Sequence, residues 1–156
     1  VTLGTQFSTV APKHRAARWV EALALTVTLE RPVDVVLIGG RKRVRLAAPD
    51  PDTARALLGC LVALAVEGLH RVLPLPPRVG YLWAQCRARN ADPQADRMLA
   101  PLWSWDEDRV WKDVLGDGGR PWDQRSAGDP WAQRGEPTLL GSLAHLVWRP
   151  IVRAEA

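Results

Sequence analysis

Cysteine, lysine and long apolar stretches are all scarce in this 156-residue chain. Cys60 and Cys86 form no C-x-x-C pair and have no histidine cluster beside them, so neither a disulfide framework nor a zinc site is indicated. The longest uncharged apolar stretch, residues 56–66, has about half of the roughly 20 residues that span a bilayer, and no signal peptide precedes it. We therefore expect a soluble, cytoplasmic protein with reduced thiols and no membrane partner.

The scarcity of lysine weakens any inference from total charge. The formal net charge of +4 is compatible with a nucleic-acid partner, but only three of the 21 basic residues are lysines. A chain rich in arginine, alanine and proline can reflect the coding bias of a whole proteome. The placement of the charges, rather than their number, must therefore argue for DNA.

Sequence signatures of catalysis are also missing. No Gly-Lys pair occurs, which excludes a P-loop for ATP. Metal-dependent nucleases need an acidic residue two positions before a lysine, because carboxylates hold Mg²⁺ and the lysine positions water or offsets charge. The residues two positions before the lysines are Ala11, Gly40 and Val110. Asp34 is the single acid within a predicted central strand, and one carboxylate does not hold a catalytic metal.

The three histidines add no enzymatic signature. His14, His70 and His145 lie in separate helical or helix-end contexts, and no G-x-S-x-G, H-x-x-x-H or H-E-x-x-H motif surrounds them. We interpret each as a surface or capping histidine. The sequence therefore predicts no catalytic residue, no metal site and no cofactor.

The chain begins with a predicted strand followed by a predicted helix. Residues 1–8 alternate as a strand does, and Ser8 or Thr9 can cap a helix whose first turn contains Pro12. Trp19 is interpreted as a core anchor of this helix. The apolar positions at helical spacing are Ala16, Trp19, Val20, Leu23 and Val27.

Residues 33–46, VDVVLIGGRKRVRL, join an apolar strand to a basic strand through a glycine pair. The first strand is apolar on both faces, so we expect it in the centre of a sheet, with a tight turn leading into the second. A vestigial nuclease site would need an acid at Gly40, so that interpretation fails. One face of the second strand carries Arg41, Arg43 and Arg45, and the other carries Lys42, Val44 and Leu46. Arginines suit DNA phosphates, but charges along an edge strand also prevent aggregation, and both interpretations stay open.

Residues 49–72 contain the clearest predicted helix. Asp50 caps it, Pro51 occupies its first position and Gly68 lies near its end. Its middle is apolar on nearly every side, so we expect it to be buried against both the sheet and neighbouring helices.

The second half of the chain is predicted to be helical, with one long interruption. Helical patterns begin near Arg78, Asp92 and Pro137. Between the last two, residues 116–131 are rich in glycine and proline and lack periodicity, which indicates a long exposed loop.

Three segments, FSTVAPKHRAARWVEALALT, GLHRVLPLPPRVGYLW and LAHLVWRPIV, follow one another in an order and spacing that resemble the C-terminal domain of RecC. RecC is the gamma subunit of exodeoxyribonuclease V, the RecBCD helicase–nuclease. The positions that match the family pattern are Ser8, Lys13 to Arg15, Trp19, Leu23 to Leu25, Gly68, Leu69, Pro74 to Pro76, Trp148 and Pro150. The resemblance covers nearly the whole chain. It departs from the family in the loop at residues 116–131 and at Leu140, where an aromatic residue is usual.

The resemblance implies a nuclease-like fold that has lost its catalytic residues. We expect one α/β domain over residues 1–156, a small mixed sheet flanked by helices with restriction-endonuclease-like topology. The chain begins with Val1 rather than Met and is interpreted as the C-terminal fragment of a larger RecC-like subunit. The resemblance also implies RecB-like and RecD-like subunits as partners, and these carry the motors and the nuclease.

The expected function is to guide DNA, as a duplex end or a single strand, and to bind other subunits during recombinational repair of double-strand breaks. The candidate nucleic-acid-binding residues are Lys13, His14, Arg15 and Arg18 at a helix N-terminus, and Arg41, Lys42, Arg43 and Arg45 in the hairpin. Trp122 and Trp131, interpreted as exposed loop aromatics, are candidates for contact with a base or a partner, or else they pin the loop. The alternative functions are a divergent Mg²⁺-dependent nuclease and a purely structural interaction domain without DNA contact.

Overall fold

The computed structural model describes residues 2–6, 10–40, 42–93, 95–106, 109–116 and 118–155. The chain forms two compact units. The first is Val1–Val66 with Arg153–Ala156, and the second is Glu67–Val152. The expected single domain over residues 1–156 stays a prediction.

The first unit contains a three-stranded sheet with β1 (Thr2–Gln6), β2 (Val35–Gly39) and β3 (Lys42–Leu46) in that order. β1 pairs with β2 in parallel, and β2 pairs with β3 in antiparallel orientation. The α1 helix (Pro12–Leu29) connects the two parallel strands, as such a crossover requires. The α/β class, the small mixed sheet and the central position of the apolar strand are therefore confirmed.

The β2–β3 hairpin follows the predicted alternation of side chains. Gly39 pairs with Lys42, so the turn between the strands has two residues. Gly40 at the turn has a φ of 56°, a left-handed conformation that glycine adopts without steric cost. In β3, Val44 and Leu46 are buried while the intervening arginine side chains are exposed. Arg41 lies outside the described residues.

The α1 helix begins differently from the prediction. Its N-cap residue is Ala11, whose side chain makes no capping hydrogen bond, and the expected caps Ser8 and Thr9 lie outside the described residues. The Ala11 N–H instead donates to His14 Nδ1 at 3.2 Å. Pro12 occupies the first turn, as predicted, because a helix leaves the first N–H groups unpaired in any case.

The buried stripe of α1 agrees only in part with the apolar pattern. Trp19 and Leu23 are buried, which confirms the core role of Trp19, but Val20 is 42% exposed. Ala22 and Thr26 are buried in its place. A buried threonine is tolerated here because its Oγ1 accepts the Val33 N–H at 3.0 Å, just before β2.

The α2 helix (Pro51–Gly68) has the predicted start but not the predicted burial. Asp50 Oδ1 accepts the N–H groups of Asp52 and Thr53, which confirms the cap. Within α2, however, only Ala54 and Leu64 are buried. Periodicity shows that a helix is apolar all round, whereas burial depends on which elements pack against it. The expectation that α2 is buried against both the sheet and neighbouring helices was therefore wrong.

The second unit is mainly helical. It contains α3 (Pro77–Ala88), α4 (Ala100–Asp106), α5 (Arg109–Leu115) and most of α6 (Leu139–Ala154), with a π-helical segment at Ala95–Leu99 and a 3₁₀ turn at Pro121–Asp123. Its core includes Tyr81 and Trp148, whose rings meet edge to face with centroids 5.8 Å apart. Leu140, the position at which the sequence departs from the RecC pattern, is fully buried.

Candidate nucleic-acid interface

The basic residues of β3 are exposed on both faces of the hairpin, because Arg43 and Arg45 project from one face and Lys42 projects from the other. Lys42, Arg43 and Arg45 are all exposed, and we call these three residues the hairpin patch. Arg43 pairs across the strands with Ile38, which is 41% exposed. The sheet is therefore uncovered where Arg43 projects, and the patch is accessible to a large ligand.

Only part of the hairpin patch carries an unpaired charge. Arg45 Nη2 contacts Asp34 Oδ2 at 2.5 Å, and its Nε contacts the same oxygen at 3.1 Å. Lys42 and Arg43, by contrast, have no ion pair within the described part of the chain. The sequence alone did not distinguish these two cations from their paired neighbour.

Asp34 serves as the partner of Arg45. Its Oδ1 accepts the Ala48 N–H at 2.9 Å. The Arg45 side chain first, and then the Ala48 N–H, lower the pKa of Asp34 below its ordinary value. The single acid expected in the central strand thus lies just before β2. It binds Arg45 and the Ala48 N–H at the C-terminal end of β3.

The four basic residues at the start of α1 mostly bind within the chain. Arg15 contacts Glu155 at 2.9 Å and donates to the Val10 carbonyl oxygen, and Arg18 contacts Glu21 at 2.5 Å. His14 accepts the Ala11 N–H, as described above. Lys13 is exposed and has no such contact among the described residues. As a candidate phosphate site, this cluster therefore offers a single unengaged side chain.

The loop tryptophans differ from the expectation that they are exposed. Trp122 is 8% exposed, with its ring edge-on to Trp103 at a centroid distance of 6.5 Å. Trp131 is half-buried, and its backbone N–H donates to Asp129 Oδ1 at 2.9 Å. The expected exposure of Trp122 was wrong, because aromatic packing covers the ring. Its burial agrees with the alternative in which it pins the loop.

Two ion pairs that the sequence did not predict hold the loop and the segment that follows it. Asp129 accepts hydrogen bonds from both terminal nitrogens of Arg71, at 2.6 and 3.1 Å. Glu136, which is 8% exposed, accepts from Trp83 Nε1 at 3.1 Å and contacts Arg87 Nε at 3.2 Å. The partners in these pairs are separated by 58 and 49 residues, so no local pattern could have indicated them.

Asp129→Asn is expected to lower thermal stability in a pH-dependent way. Arg71 lowers the pKa of Asp129 below its ordinary value of 3.8, with a smaller effect from the Trp131 N–H. Because the folded pKa is depressed, this contribution is complete above the unfolded pKa and is lost as the pH falls through the folded value. The Tm difference between wild type and variant should therefore be largest near pH 7 and shrink below about pH 4. Asp123→Asn in the same loop is the control, and a Tm difference that stays constant down to pH 2 would contradict this role.

The remaining polar and sulfur-containing groups supply little reactive chemistry. Within the described part of the chain, no group of three or more histidine, cysteine or acidic side chains could hold a metal ion. Both cysteines are free, and burial raises the pKa of each thiol. Among the described helices, none is long and apolar enough to cross a membrane.

Comparison of the sequence with known families identifies one that matches. A model of the RecC C-terminal domain matches residues 1–88, which is more than half of the chain. The chain belongs to the RecC C-terminal domain family. The matched part contains β1 to β3 and α1 to α3, and so includes the hairpin patch, whereas the loop at residues 116–131 lies beyond it.

Curated relatives extend this similarity along the chain. A protein named RecBCD enzyme subunit RecC from Mycobacterium tuberculosis (strain ATCC 25618 / H37Rv) is 31% identical over 168 residues, which cover 99% of this chain. A RecC subunit of the same name from Mycolicibacterium smegmatis is 28% identical over 96% of this chain. The chain spans only 15% of the length of these RecC relatives.

Proposed function

We propose that this RecC region is a non-catalytic part of a RecBCD-type helicase–nuclease that guides DNA and binds other subunits in the repair of double-strand breaks. The observation that carries the DNA role is the hairpin patch. Lys42 and Arg43 are exposed cations without carboxylate partners among the described residues, on a strand next to an uncovered part of the sheet. Such cations attract phosphates because each contact releases condensed counterions.

The chemistry of the patch favours guidance of the DNA backbone over recognition of sequence. Phosphate contacts position a protein on DNA without reading its bases. The Lys42 and Arg43 side chains project from a hydrogen-bonded hairpin, which sets their backbone positions before DNA arrives and leaves the side chains free to reach the phosphates. Contacts of this kind hold a strand against the protein and still allow it to slide along the surface.

The apolar outer face of α2 supports the subunit-binding role. Val62 is 57% exposed and Val66 is 51% exposed, with the exposed small residues Ala56, Gly59 and Ala63 nearby on the same helix. Contiguous exposed apolar surface is typical of protein interaction sites. We assign this face to contact with RecB-like or RecD-like subunits, which we also propose carry the catalysis.

The two alternative functions are less well supported. A divergent Mg²⁺-dependent nuclease would need an acid where Gly40 forms the hairpin turn. A purely structural domain would use the same exposed cations of β3 only to prevent aggregation at the edge of the sheet, and the DNA-binding experiment below separates that function from DNA guidance. The order β1, α1, β2, β3 in a mixed sheet supports the restriction-endonuclease-like topology, which we retain as part of the proposal.

The double variant Lys42→Ala/Arg43→Ala tests the DNA role. We expect weaker binding to a forked DNA at low salt, and a slope of log affinity against log salt that is shallower by about 1.4 to 1.8, because two phosphate contacts are lost. Both side chains are exposed, so the variant should keep its fold. The measurement is fluorescence anisotropy across a salt series.

Arg31→Ala/Arg89→Ala is the matched control because it removes the same net charge from exposed positions outside the hairpin, where neither arginine has an ion pair among the described residues. It should bind the fork nearly as the wild type does. If the control and the hairpin variant lose affinity equally, the binding reflects net charge alone and the hairpin assignment is wrong.

A further inference from the structure

A cavity of about 500 Å³ lies beside the loop in the second unit. Trp122, Ala127 and Pro137 supply apolar lining, and Asp123, Arg125 and Thr138 supply polar lining. The volume falls within the range of about 300–1,000 Å³ that is typical of small-molecule sites. The cavity is thus large enough to take a planar group of ligand size.

Backbone hydrogen bonds hold the walls of this cavity together. The Leu139 N–H donates to the Gln124 carbonyl oxygen at 2.8 Å, and the Ser126 N–H donates to that of Pro137 at 3.1 Å. Arg125 and Thr138 form a β-bridge between these bonds. The cavity is therefore formed before any ligand binds, which lowers the entropic cost of binding.

The polar groups of the lining differ in their availability. The Ser126 hydroxyl donates to the Glu136 carbonyl oxygen at 2.6 Å, and Thr138 Oγ1 accepts the Gly141 N–H at 3.0 Å. Asp123 and Arg125 are exposed, and neither side chain has a hydrogen bond or ion pair among the described residues. One cation and one carboxylate are therefore available beside the apolar lining of the cavity.

We propose that this cavity binds one unstacked base of a single-stranded nucleic acid, an inference that rests on the proposed DNA role. The base packs against the apolar lining, to which Ala127, Pro137 and the small exposed part of Trp122 contribute, and Arg125 contacts the neighbouring phosphate. The Asp123 carboxylate repels phosphate but accepts hydrogen bonds from the amino groups of cytosine, adenine or guanine. The site therefore favours a base that carries an amino group over thymine.

Ala127→Leu tests the site because it fills the cavity from an exposed position and leaves Trp122 and the backbone bonds in place. The probes are oligo-dC, oligo-dT and a backbone of equal length without bases. We expect wild type to bind oligo-dC at least about fivefold more tightly than the abasic backbone, which is the lower end of the affinity gain that one stacked base gives. The affinity for oligo-dT should lie between these two. Ala127→Leu should lose this difference in affinity. Ala132→Leu, the same change at an exposed position directly after the loop, should keep it.

The outcomes separate this site from the hairpin patch. If wild type binds the abasic backbone in a salt-dependent way and shows no preference for oligo-dC, the cavity assignment is wrong and the proposed DNA role stands. A base preference that survives in Ala127→Leu would place base binding elsewhere and also overturn it. If wild type binds the forked DNA but none of the three probes, the cavity assignment is wrong and the hairpin role stands; if it binds neither, both proposals are wrong.

Discussion

Glu136→Ala is expected to lower the free energy of unfolding by about 2–3 kcal/mol, the largest effect of any substitution considered for this chain. Glu136 is buried and satisfies both the Trp83 indole N–H and the Arg87 guanidinium. Its removal leaves Trp83 Nε1 without an acceptor and a largely buried cation without this partner. Arg87 keeps its contact with Asp92, so the loss should stay below that of a fully buried pair. Urea denaturation followed by circular dichroism measures the change.

The control for this prediction is Glu21→Ala. Glu21 pairs with Arg18 three residues away on the surface of α1, where both side chains are more than a third exposed. Exposed pairs of this kind contribute roughly 0–1 kcal/mol, so the control should change stability by less than about 1 kcal/mol. Similar losses in the two variants would show that burial of Glu136 does not matter.

Gly80→Ala is expected to lower the free energy of unfolding by about 1–2 kcal/mol, although alanine is the better helix former. A Cβ at this position in α3 would lie 2.7 Å from Trp148 Nε1 and 2.8 Å from Leu75 Cδ1. Trp148 is buried and already packs against Tyr81, so its ring has little space to move. The clash therefore outweighs the gain in helix propensity, and urea denaturation should show a lower midpoint.

The matched control, Gly59→Ala, should change stability in the opposite direction. Gly59 lies in α2, and a Cβ there would meet no atom within 4 Å. Alanine should then stabilise the helix by about 0.5–1 kcal/mol through its propensity alone. If Gly80→Ala is also stabilising, α3 and α6 are not packed as closely as the structure indicates.

The elements that the sequence predicted well depend on local chemistry. The β2–β3 hairpin follows from strand alternation and a glycine pair, and the start of α2 follows from Asp50 and Pro51. Both features depend on residues within a few positions of one another. The family resemblance, which rests on motifs rather than on spacing alone, was also confirmed for residues 1–88.

The features that the sequence missed depend on distant contacts. The exposure of α2 depends on which elements pack against it, and the burial of Trp122 depends on Trp103. The pairing of Arg45 with Asp34, 11 residues away, removes one of the expected DNA contacts. Charge and hydrophobicity could thus locate candidate surfaces, but only the fold shows which side chains are available on them.

The most direct test of the central claim is the binding of this 156-residue chain to a forked DNA across a salt series with Mg²⁺ present, with strand cleavage measured in the same samples. We predict binding that weakens steeply with salt, depends on Lys42 and Arg43, and is accompanied by no cleavage. Binding that is unchanged in Lys42→Ala/Arg43→Ala would contradict the role of the hairpin patch. Mg²⁺-dependent cleavage that persists through repurification would contradict the non-catalytic role.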